Sequence, residues 1–326
     1  MTHIKFIERT KRFLEKKEPF FFIVNFEKSK AYAYNYGEAL KKGILFDINR
    51  KSNMNRTEDD TQVPISSAIE VEPFPFKSYL QGFEKVVQNL KKGNSFLVNL
   101  TFPSKISSPL TLKSVYWKAN APYKLLFKNE FVCFSPECFI KIKDGYVYSY
   151  PMKGTIDATL EGASRALMSS PKEQQEHHTI VDLIRNDLSM ISRDVTVTRF
   201  RYLEKIRTAK GEIWQTSSEI RGKLFENWQQ HFGKLLLKIL PAGSISGAPK
   251  PQTLKIIDDA ENYQRGYYTG IFGIFDGSNI DSGVAIRFIE KKEDGYWYKS
   301  GGGITHQSNV KEEYIELINK IYIPTI

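Results

Sequence analysis

The sequence predicts an α+β fold in which large antiparallel β-sheets are packed with peripheral helices. Strand-like segments occur in groups, at 123–150, 195–223 and 267–300, and the helical segments do not alternate one by one with them. Hydrophobic residues make up 41% of the 326 residues and aromatic residues 13%, so the chain can bury a large core. We therefore expect grouped, antiparallel strands and not a doubly wound parallel sheet.

The N-terminal part predicts strands and then a loop. A basic amphipathic start precedes the apolar run FFFIVNF, which predicts a strand, and the segment AYAYNYG alternates as a half-buried hairpin does. Residues 50–72 are polar, and we predict a mobile loop there. From Pro75 onward, YLQGFEKVVQNLKKG has the period of an amphipathic helix that Gly93 ends, and the strand SFLVNLTF follows.

The rest of the chain contains further elements of both types. We predict strands at 123–129, 131–134, 138–143 and 146–150, a helical region at 161–190, strands within 195–223 and 267–300, and helices at 229–239, 249–260 and 309–322. No repeat is present in the sequence. We interpret residues 1–326 as a single domain.

Composition excludes several classes of function. The formal charge is +10, but Lys and Arg are mixed with Asp and Glu and no basic nucleic-acid-binding motif occurs, so we expect no nucleic-acid partner. No stretch approaches the roughly 20 apolar residues of a membrane helix, and the N-terminus lacks a signal-peptide pattern, so we expect a cytoplasmic protein without membrane contact. Cys133 and Cys138 lie in one strand-like segment on opposite faces, which argues against a disulfide framework or a zinc site.

Four segments carry polar or charged residues at positions where a hydrophobic core would have apolar ones. They are FSPECF at 134–139, YPMKGT at 150–155, EHHTIVDLIRNDL at 176–188, and the C-terminal third from LPAGSISGAPK at 240–250 to SGGGITHQSNVKEEYIELINK at 300–320. Together, over residues 75–325, they resemble the chorismate-utilising family that contains anthranilate, aminodeoxychorismate, isochorismate and salicylate synthases. The resemblance implies a fold like that of anthranilate synthase component I, chorismate as substrate, and Mg²⁺ as cofactor.

The resemblance assigns the metal to two helix glutamates. It implies that Glu176 and Glu316 hold Mg²⁺, which binds one substrate carboxylate and otherwise prefers few protein carboxylates and several waters. Glu313 precedes Glu316 by three residues and so lies on the same helical face, where it can hold a metal-bound water.

The other substrate carboxylate needs cationic and backbone donors. The resemblance assigns this contact to six positions, with Tyr268 lining the pocket and the others donating: Arg287, Gly301, Gly302, Gly303, Lys320 and Tyr268. The string GSISGAPK resembles GSITGAPK of the family and places Ser246 in the same pocket, where the change from Thr keeps the hydroxyl.

Lys153 selects the branch of the family. Anthranilate synthases typically read PIAGT at this string and aminodeoxychorismate synthases PIKGT, whereas this chain reads PMKGT. The resemblance therefore implies that Lys153, placed between a strand and a turn, attacks C2 of chorismate once its pKa is lowered, and that Glu137, near the start of a strand, is the general acid for the leaving 4-hydroxyl. Ammonia then adds at C4 and gives 4-amino-4-deoxychorismate, on the way to 4-aminobenzoate and folate.

Three further features carry predictions, and two of them, Gln215 and the segment 1–74, depart from the family pattern. Leu97 stands where water-adding members have a lysine, which favours ammonia over water, and Gln215 replaces the family His, which leaves the acid role to Glu137. The segment 1–74 is shorter than in typical members, so we expect an incomplete aromatic amino-acid pocket and no inhibition by tryptophan. No glutaminase nucleophile motif occurs, so the resemblance implies a separate glutamine amidotransferase subunit as the source of ammonia.

Two alternatives stay open. Within the family, the alternative is anthranilate synthase component I, which Lys153 disfavours. Outside enzymology, the alternative is a non-catalytic chorismate-binding subunit, which Gln215 and the short N-terminal segment suggest. The joint presence of Glu137, Lys153, Glu176 and Glu316 argues against loss of catalysis.

Overall fold

The structure is a computed structural model that describes residues 2–55, 69–109, 111–208 and 211–324. Its helices are α1 (His3–Glu15), α2 (Tyr36–Lys41), α3 (Phe76–Lys91), α4 (Leu112–Lys118), α5 (Ala163–Ser169), α6 (Pro171–Ser189), α7 (Trp228–Ile239), α8 (Gly243–Ser246), α9 (Lys250–Glu261) and α10 (Val310–Asn319). Within these ranges, no helix is long and apolar enough to cross a membrane.

The strands occur along the whole chain. The first ten are β1 (Phe20–Val24), β2 (Ala31–Asn35), β3 (Ile44–Ile48), β4 (Lys51–Ser52), β5 (Glu70–Glu72), β6 (Leu97–Ser107), β7 (Tyr123–Phe127), β8 (Phe131–Ser135), β9 (Cys138–Lys143) and β10 (Tyr146–Ser149). The others are β11 (Met152–Asp157), β12 (Ser192–Thr208), β13 (Gly211–Leu224), β14 (Gly247–Ala248), β15 (Ile271–Phe275), β16 (Ile280–Val284), β17 (Phe288–Lys292) and β18 (Gly295–Ile304).

These strands form two antiparallel sheets of nine strands each. The first has the order β11-β13-β10-β9-β16-β15-β1-β2, with β12 also beside β13. The second has the order β14-β6-β18-β17-β8-β7-β3-β4, with β5 beside β6. The predicted α+β class with large antiparallel sheets is therefore confirmed, and strands from the first 74 residues enter both sheets.

The core follows from the alternation of the strands, whose successive side chains point to opposite faces. In β1, Phe20 and Phe22 pack with α1 and α7 in the largest apolar cluster, whereas Phe21 and Ile23 pack in a second cluster with Phe46 and other residues of the second sheet. The first sheet is thus covered by helices on one face and by the second sheet on the other. A third cluster lies around α4.

Several predicted elements differ in detail. The helical region at 161–190 is broken at Ser170, because Pro171 disfavours a helical residue before it and is tolerated as the first residue of α6. The segment 195–223 is the hairpin of β12 and β13. In AYAYNYG, β2 pairs with β1 as expected, but Tyr36 and Gly37 already belong to α2. The polar segment 50–72 contains the short strands β4 and β5, and its residues 56–68 lie outside the described part.

The two cysteines lie on different strands, so the prediction that they share one strand is wrong. Cys133 belongs to β8 of the second sheet and Cys138 to β9 of the first sheet. The chain crosses from one sheet to the other at Pro136 and Glu137, because proline cannot donate a ladder hydrogen bond and interrupts the strand. Glu137 therefore lies at the junction of the two sheets.

Candidate active site

Two helices each present a pair of glutamates three residues apart. Helix α6 carries Glu173 and Glu176, and α10 carries Glu313 and Glu316. Residues three apart lie on the same helical face, so each pair forms one acidic edge. The sequence analysis included three of these residues and missed Glu173. The same i, i+3 spacing that linked Glu313 to Glu316 could have found it.

Lys153 lies in the middle of these acids. Lys153 belongs to β11, so the prediction that it lies between a strand and a turn is wrong. At this point of β11, the register of pairing with β13 shifts between Met152 and Thr155. Such a bulge changes the direction in which nearby side chains point. Gly154, within the bulge, has a φ of +85°. A Cβ at Gly154 would lie 2.5 Å from Glu173 Oε2, so the backbone passes close to α6. The Lys153 ammonium lies 2.8 Å from Glu176 Oε2.

The glycine strand brings α10 to the same place. Lys320, which follows α10, lies 2.6 Å from Glu316 Oε1 and donates a hydrogen bond of 2.8 Å to the carbonyl of Gly301. A Cβ at Gly302 would lie 3.5 Å from Glu313 Oε2 and 3.6 Å from both Glu316 Oε1 and Lys320 Nζ. Gly302 thus leaves a hollow between β18 and the acidic edge of α10.

The charges of this group shift one another's pKa values. Burial acts to lower the pKa of Lys153, but the neighbouring carboxylates of Glu176, Glu316 and Glu173 outweigh it, and the pKa is raised. Lys153 is therefore held as an ammonium, whereas the predicted nucleophile role needs a lowered pKa. Burial also acts to raise the pKa of Glu316, but the Lys320 ammonium holds it below its usual range.

The residues fit a hard cation such as Mg²⁺ in type. Carboxylate oxygens from two helices are the donors that Mg²⁺ prefers, and the hollow at Gly302 lies beside Glu313 and Glu316. Lysine ammonium groups are already paired with Glu176 and Glu316 as positive countercharges. Over the described ranges, no three His, Cys, Asp or Glu side chains converge closely enough to hold a metal. Binding would therefore need the lysines to leave these carboxylates.

The environment of Glu137 raises the pKa of its carboxyl group. Ser244 donates a hydrogen bond of 2.8 Å to Glu137 Oε1, and the backbone N–H of Val284 donates to the Glu137 carbonyl at 3.1 Å. Burial raises the pKa of the Glu137 carboxyl, against the opposing effects of the Ser244 hydrogen bond and the charges of Arg287 and Lys320. A carboxyl group with a raised pKa can donate a proton near neutral pH.

Arg287, whose charge acts on Glu137, and Ser300 each have a buried donor that is suited to an anionic ligand. Arg287 has a φ of +53°, lies over the ring of Tyr322 with 5.0 Å between its Cζ and the ring centroid, and has a buried Nε with no hydrogen-bond partner. Ser300, directly before the three glycines, has a buried Oγ that also has no partner. Tyr268 is 3% exposed and packs edge-on against Phe288. Buried donors without partners are rare and are typical of ligand sites.

The remaining predicted residues lie around this group with other contacts. Leu97 begins β6, and its Cδ1 would lie 3.1 Å from a Cβ at Gly303, so an apolar side chain borders the glycine strand. Ser246 is fully buried in α8 and donates to the Ala242 carbonyl at 2.7 Å. Gln215 lies on β13 opposite Thr155 and its amide donates to the Ser217 hydroxyl at 3.4 Å.

A buried ion pair fixes the wall behind the glycine strand. Glu261 and Arg265 are 4% and 1% exposed, and Arg265 donates to both carboxylate oxygens of Glu261, at 2.9 and 2.5 Å. Arg265 also donates to the carbonyls of Ile245, at 2.8 Å, and Asn99, at 2.6 Å. It thereby ties α8 to β6, and sequence reasoning gave no signal for this role.

Taken together, the geometry brings a lysine ammonium, a carboxyl with a raised pKa and the glutamate edges of two helices into one region. Lys153, Glu176, Glu313, Glu316, Gly302 and Lys320 lie in one group, and the charges of Lys320 and Arg287 link it electrostatically to Glu137. This arrangement can bind an anion, protonate a leaving oxygen and form a covalent bond through nitrogen.

Comparison with known proteins identifies relatives along the whole chain. Residues 5–325 match the family described as chorismate binding enzyme. An uncharacterized PabA-like protein of Haemophilus influenzae is 51% identical over 319 residues, 98% of this chain and 96% of that protein. Aminodeoxychorismate synthase component 1 of Bacillus subtilis and anthranilate synthase component 1 of Arthrobacter globiformis are each 30% identical, over 77% and 76% of this chain and 55% and 49% of their own lengths. The solved structure of anthranilate synthase component I from Streptococcus pneumoniae has a TM-score of 0.68 at 19% identity, covering 95% of this chain and 84% of that one.

Proposed function

The chain belongs to the chorismate binding enzyme family, and from that premise we propose that it aminates chorismate at C4 to give 4-amino-4-deoxychorismate. Members of this family are enzymes that act on chorismate. The finer assignment rests on one observation, the position of Lys153 in the bulge of β11, 2.8 Å from Glu176 and electrostatically coupled to Glu316. A lysine at this point of the family string is typical of the aminodeoxychorismate branch.

In the proposed reaction, Lys153 and Glu137 share the bond-breaking step. Nζ of Lys153 leaves Glu176, gives up a proton to solvent and adds to C2 of the substrate ring, while the ring double bonds shift and the C4–O bond breaks. Glu137 donates its proton to the departing hydroxyl, which leaves as water. Ammonia then adds at C4 as the C2–N bond breaks, the new ammonium group returns a proton to the Glu137 carboxylate, and the Lys153 amine is restored.

The other residues of the site bind and orient the substrate. Arg287, Lys320 and the glycine strand donate to the carboxylate that is not held by metal, with Tyr268 and Ser246 shaping the pocket around it. Mg²⁺ held by Glu176 and Glu316, with Glu313 behind it, would neutralise the other carboxylate. Leu97 borders the glycine strand and cannot activate water, which favours ammonia as the final nucleophile.

The source of ammonia in the proposal is a glutamine amidotransferase subunit. Both cysteines lie in strands, and burial raises the pKa of Cys133 well above its usual range and that of Cys138 to about 12. Neither is therefore suited to the thiolate chemistry of a glutaminase. A separate subunit that releases ammonia would complete the reaction.

Anthranilate synthesis is the second candidate, because relatives of both kinds match at 30% identity. The two reactions use the same substrate and differ in where nitrogen is attached and whether pyruvate is lost. Lys153 favours the first, since attack of its amine at C2 occupies the carbon that anthranilate synthesis aminates. A chorismate-binding subunit without turnover is the candidate of another class.

The test is incubation of the protein with chorismate, Mg²⁺ and ammonium near pH 8.5, with products resolved by chromatography and mass. We expect aminodeoxychorismate, which an added lyase converts to 4-aminobenzoate, and we expect Lys153→Ala to lose this product at matched folding. Anthranilate would establish the second candidate, and unconsumed chorismate that still binds would establish the non-catalytic one. Full activity of Lys153→Ala would refute the nucleophile role.

A further inference from the structure

The short helix α8, which carries Ser244, is anchored by a partly buried ion pair outside the residues considered so far. Asp187, near the end of α6, accepts a hydrogen bond of 2.8 Å from the Gly243 N–H through Oδ2. Its Oδ1 lies 2.5 Å from the Lys250 ammonium, and Lys250 also donates to the Ile239 carbonyl at 2.5 Å. The residue after Gly243 is Ser244, which donates to Glu137 Oε1. A continuous chain of contacts therefore links Lys250 and Asp187 to the carboxyl of Glu137.

A small cavity borders Glu137 and the residues that hold Ser244. Glu137, Asp187 and Ser244 line a cavity of about 20 Å³, together with Ser149 and several apolar residues. This volume is enough for one water-sized molecule. The hydrogen bond from Ser244 is the directional contact that orients the carboxyl beside this cavity.

A hydroxyl donor selects which oxygen of a neutral carboxyl carries the proton. When Ser244 donates to Oε1, that oxygen acts as the carbonyl acceptor, and the acid proton resides on Oε2. The charges of Arg287 and Lys320 act on Glu137, and neither cation can accept a proton from it. The orientation of the acid therefore depends on the serine.

We propose that Ser244 is a positioning residue for the general acid Glu137, and that the pair of Asp187 and Lys250 holds Ser244 in place. The inference rests on the acid role of Glu137 in the proposed function. It applies to any reaction of this site in which Glu137 protonates the leaving 4-hydroxyl. Burial raises the pKa of Asp187 and lowers that of Lys250, and the charge of each partner opposes the shift of the other.

The first experiment compares Ser244→Ala with Ser244→Thr. We expect Ser244→Ala to lower kcat for chorismate consumption by about 10- to 100-fold, within the range of general acid catalysis, with KM changed by less than about threefold. Because the Ser244 hydrogen bond opposes the raised pKa of Glu137, its loss should move the alkaline limb of the kcat profile to higher pH. Ser244→Thr keeps the hydroxyl and should restore both quantities.

Ser149→Ala is the matched control. Ser149 lines the same cavity but donates to the Phe139 carbonyl at 3.0 Å and not to Glu137. We expect it to leave the alkaline limb unchanged. The double variant Asp187→Asn, Lys250→Met tests the ion pair that holds Ser244 and avoids a buried unpaired charge. It should shift the alkaline limb of the kcat profile in the same direction as Ser244→Ala, but by a smaller amount.

A spectroscopic readout separates this proposal from the proposed function. Infrared difference spectra against Glu137→Gln isolate the carbonyl stretch of the protonated Glu137, whether or not the protein turns over chorismate. Loss of the donated hydrogen bond in Ser244→Ala should raise the frequency of this band. If the band and the pH limb of Ser244→Ala equal those of the wild type, or if kcat falls equally at all pH values with a lowered Tm, the positioning role is wrong. If the product is not 4-amino-4-deoxychorismate but Ser244→Ala still changes the band and the pH limb as expected, the proposed function fails and the role of Ser244 stands.

Discussion

The buried pair of Glu261 and Arg265 gives a strong prediction for stability. Glu261 accepts four hydrogen bonds, two from Arg265 and two from Thr101, whose N–H and hydroxyl lie 2.8 and 2.9 Å from Oε1. In Glu261→Gln, one carboxylate oxygen becomes an NH₂ group that faces donors, and the charge of Arg265 is left uncompensated. Breaking one side of such a buried pair costs about 3 to 5 kcal/mol.

The predicted change in Tm follows from the size of the chain. Unfolding entropy of about 2.1 cal/mol/K per residue gives about 0.7 kcal/mol/K for the whole chain, so a loss of about 4 kcal/mol should lower Tm by about 6 °C. Calorimetry or urea unfolding measures it. The control is Asp259→Asn on the same helix, because Asp259 pairs with Lys85 at an exposed position, 3.1 Å apart, and should cost less than about 0.5 kcal/mol.

The outcome has a clear refutation. If Glu261→Gln and Asp259→Asn lower stability equally, the pair does not stabilise the fold as argued. Glu261→Leu with Arg265→Met should recover much of the lost stability, because apolar side chains of similar volume often replace a buried ion pair without loss. Even with its stability recovered, that double variant should bind chorismate more weakly than the wild type. The hydrogen bonds from Arg265 to the carbonyls of Ile245 and Asn99 would be lost.

Further variants and reagents test other parts of the molecule. Glu316→Gln should weaken activation by Mg²⁺ at least about 10-fold, and unchanged Mg²⁺ dependence would exclude its role as a ligand. Gly247→Ala should cost more than about 3 kcal/mol in urea unfolding, because φ is +124° and a Cβ would lie 1.8 Å from the Leu97 carbonyl oxygen, whereas Gly93→Ala, with open space around it, should cost about 1 kcal/mol. Cys133 and Cys138 should resist thiol reagents at pH 8 until denaturant is added, since burial raises both pKa values, and rapid labelling of the folded protein would contradict this. Tryptophan at physiological concentration should leave the rate unchanged.

The elements that sequence predicts best are those with a strong local period. The strand expected at 138–143 is Cys138–Lys143, and the helix expected at 229–239 is Trp228–Ile239. Local period does not tell which sheet a strand joins, because that depends on partners far away in the chain. The misplacement of the two cysteines on one strand has this origin: Pro136 and Glu137 carry the chain between sheets within two residues.

The candidate site is predictable in its members but not in its charge balance. Family resemblance named Glu176, Glu316 and Lys153, and the structure brings them into one electrostatic group. The raised pKa of Lys153 was not predictable, because it is the sum of burial and of carboxylates from two helices whose distances sequence does not give. Ser244 was missed for a similar reason, since its partner Glu137 comes more than a hundred residues earlier.

The pairing of the two ends of the chain determines when this protein can fold during synthesis. Strand β1 lies between β2 and β15, with Phe20 opposite Phe275, and β9 pairs with β16. Until Ile271–Val284 has left the ribosome, β1 and β9 each present an unpaired edge, although Lys153 and Glu176 have long been made. Such long-range pairing slows folding and exposes edges that can associate between chains. A chain cut before Ile271 should therefore aggregate instead of forming a half-site, and efficient expression should depend on slow synthesis or on chaperones that shield β1.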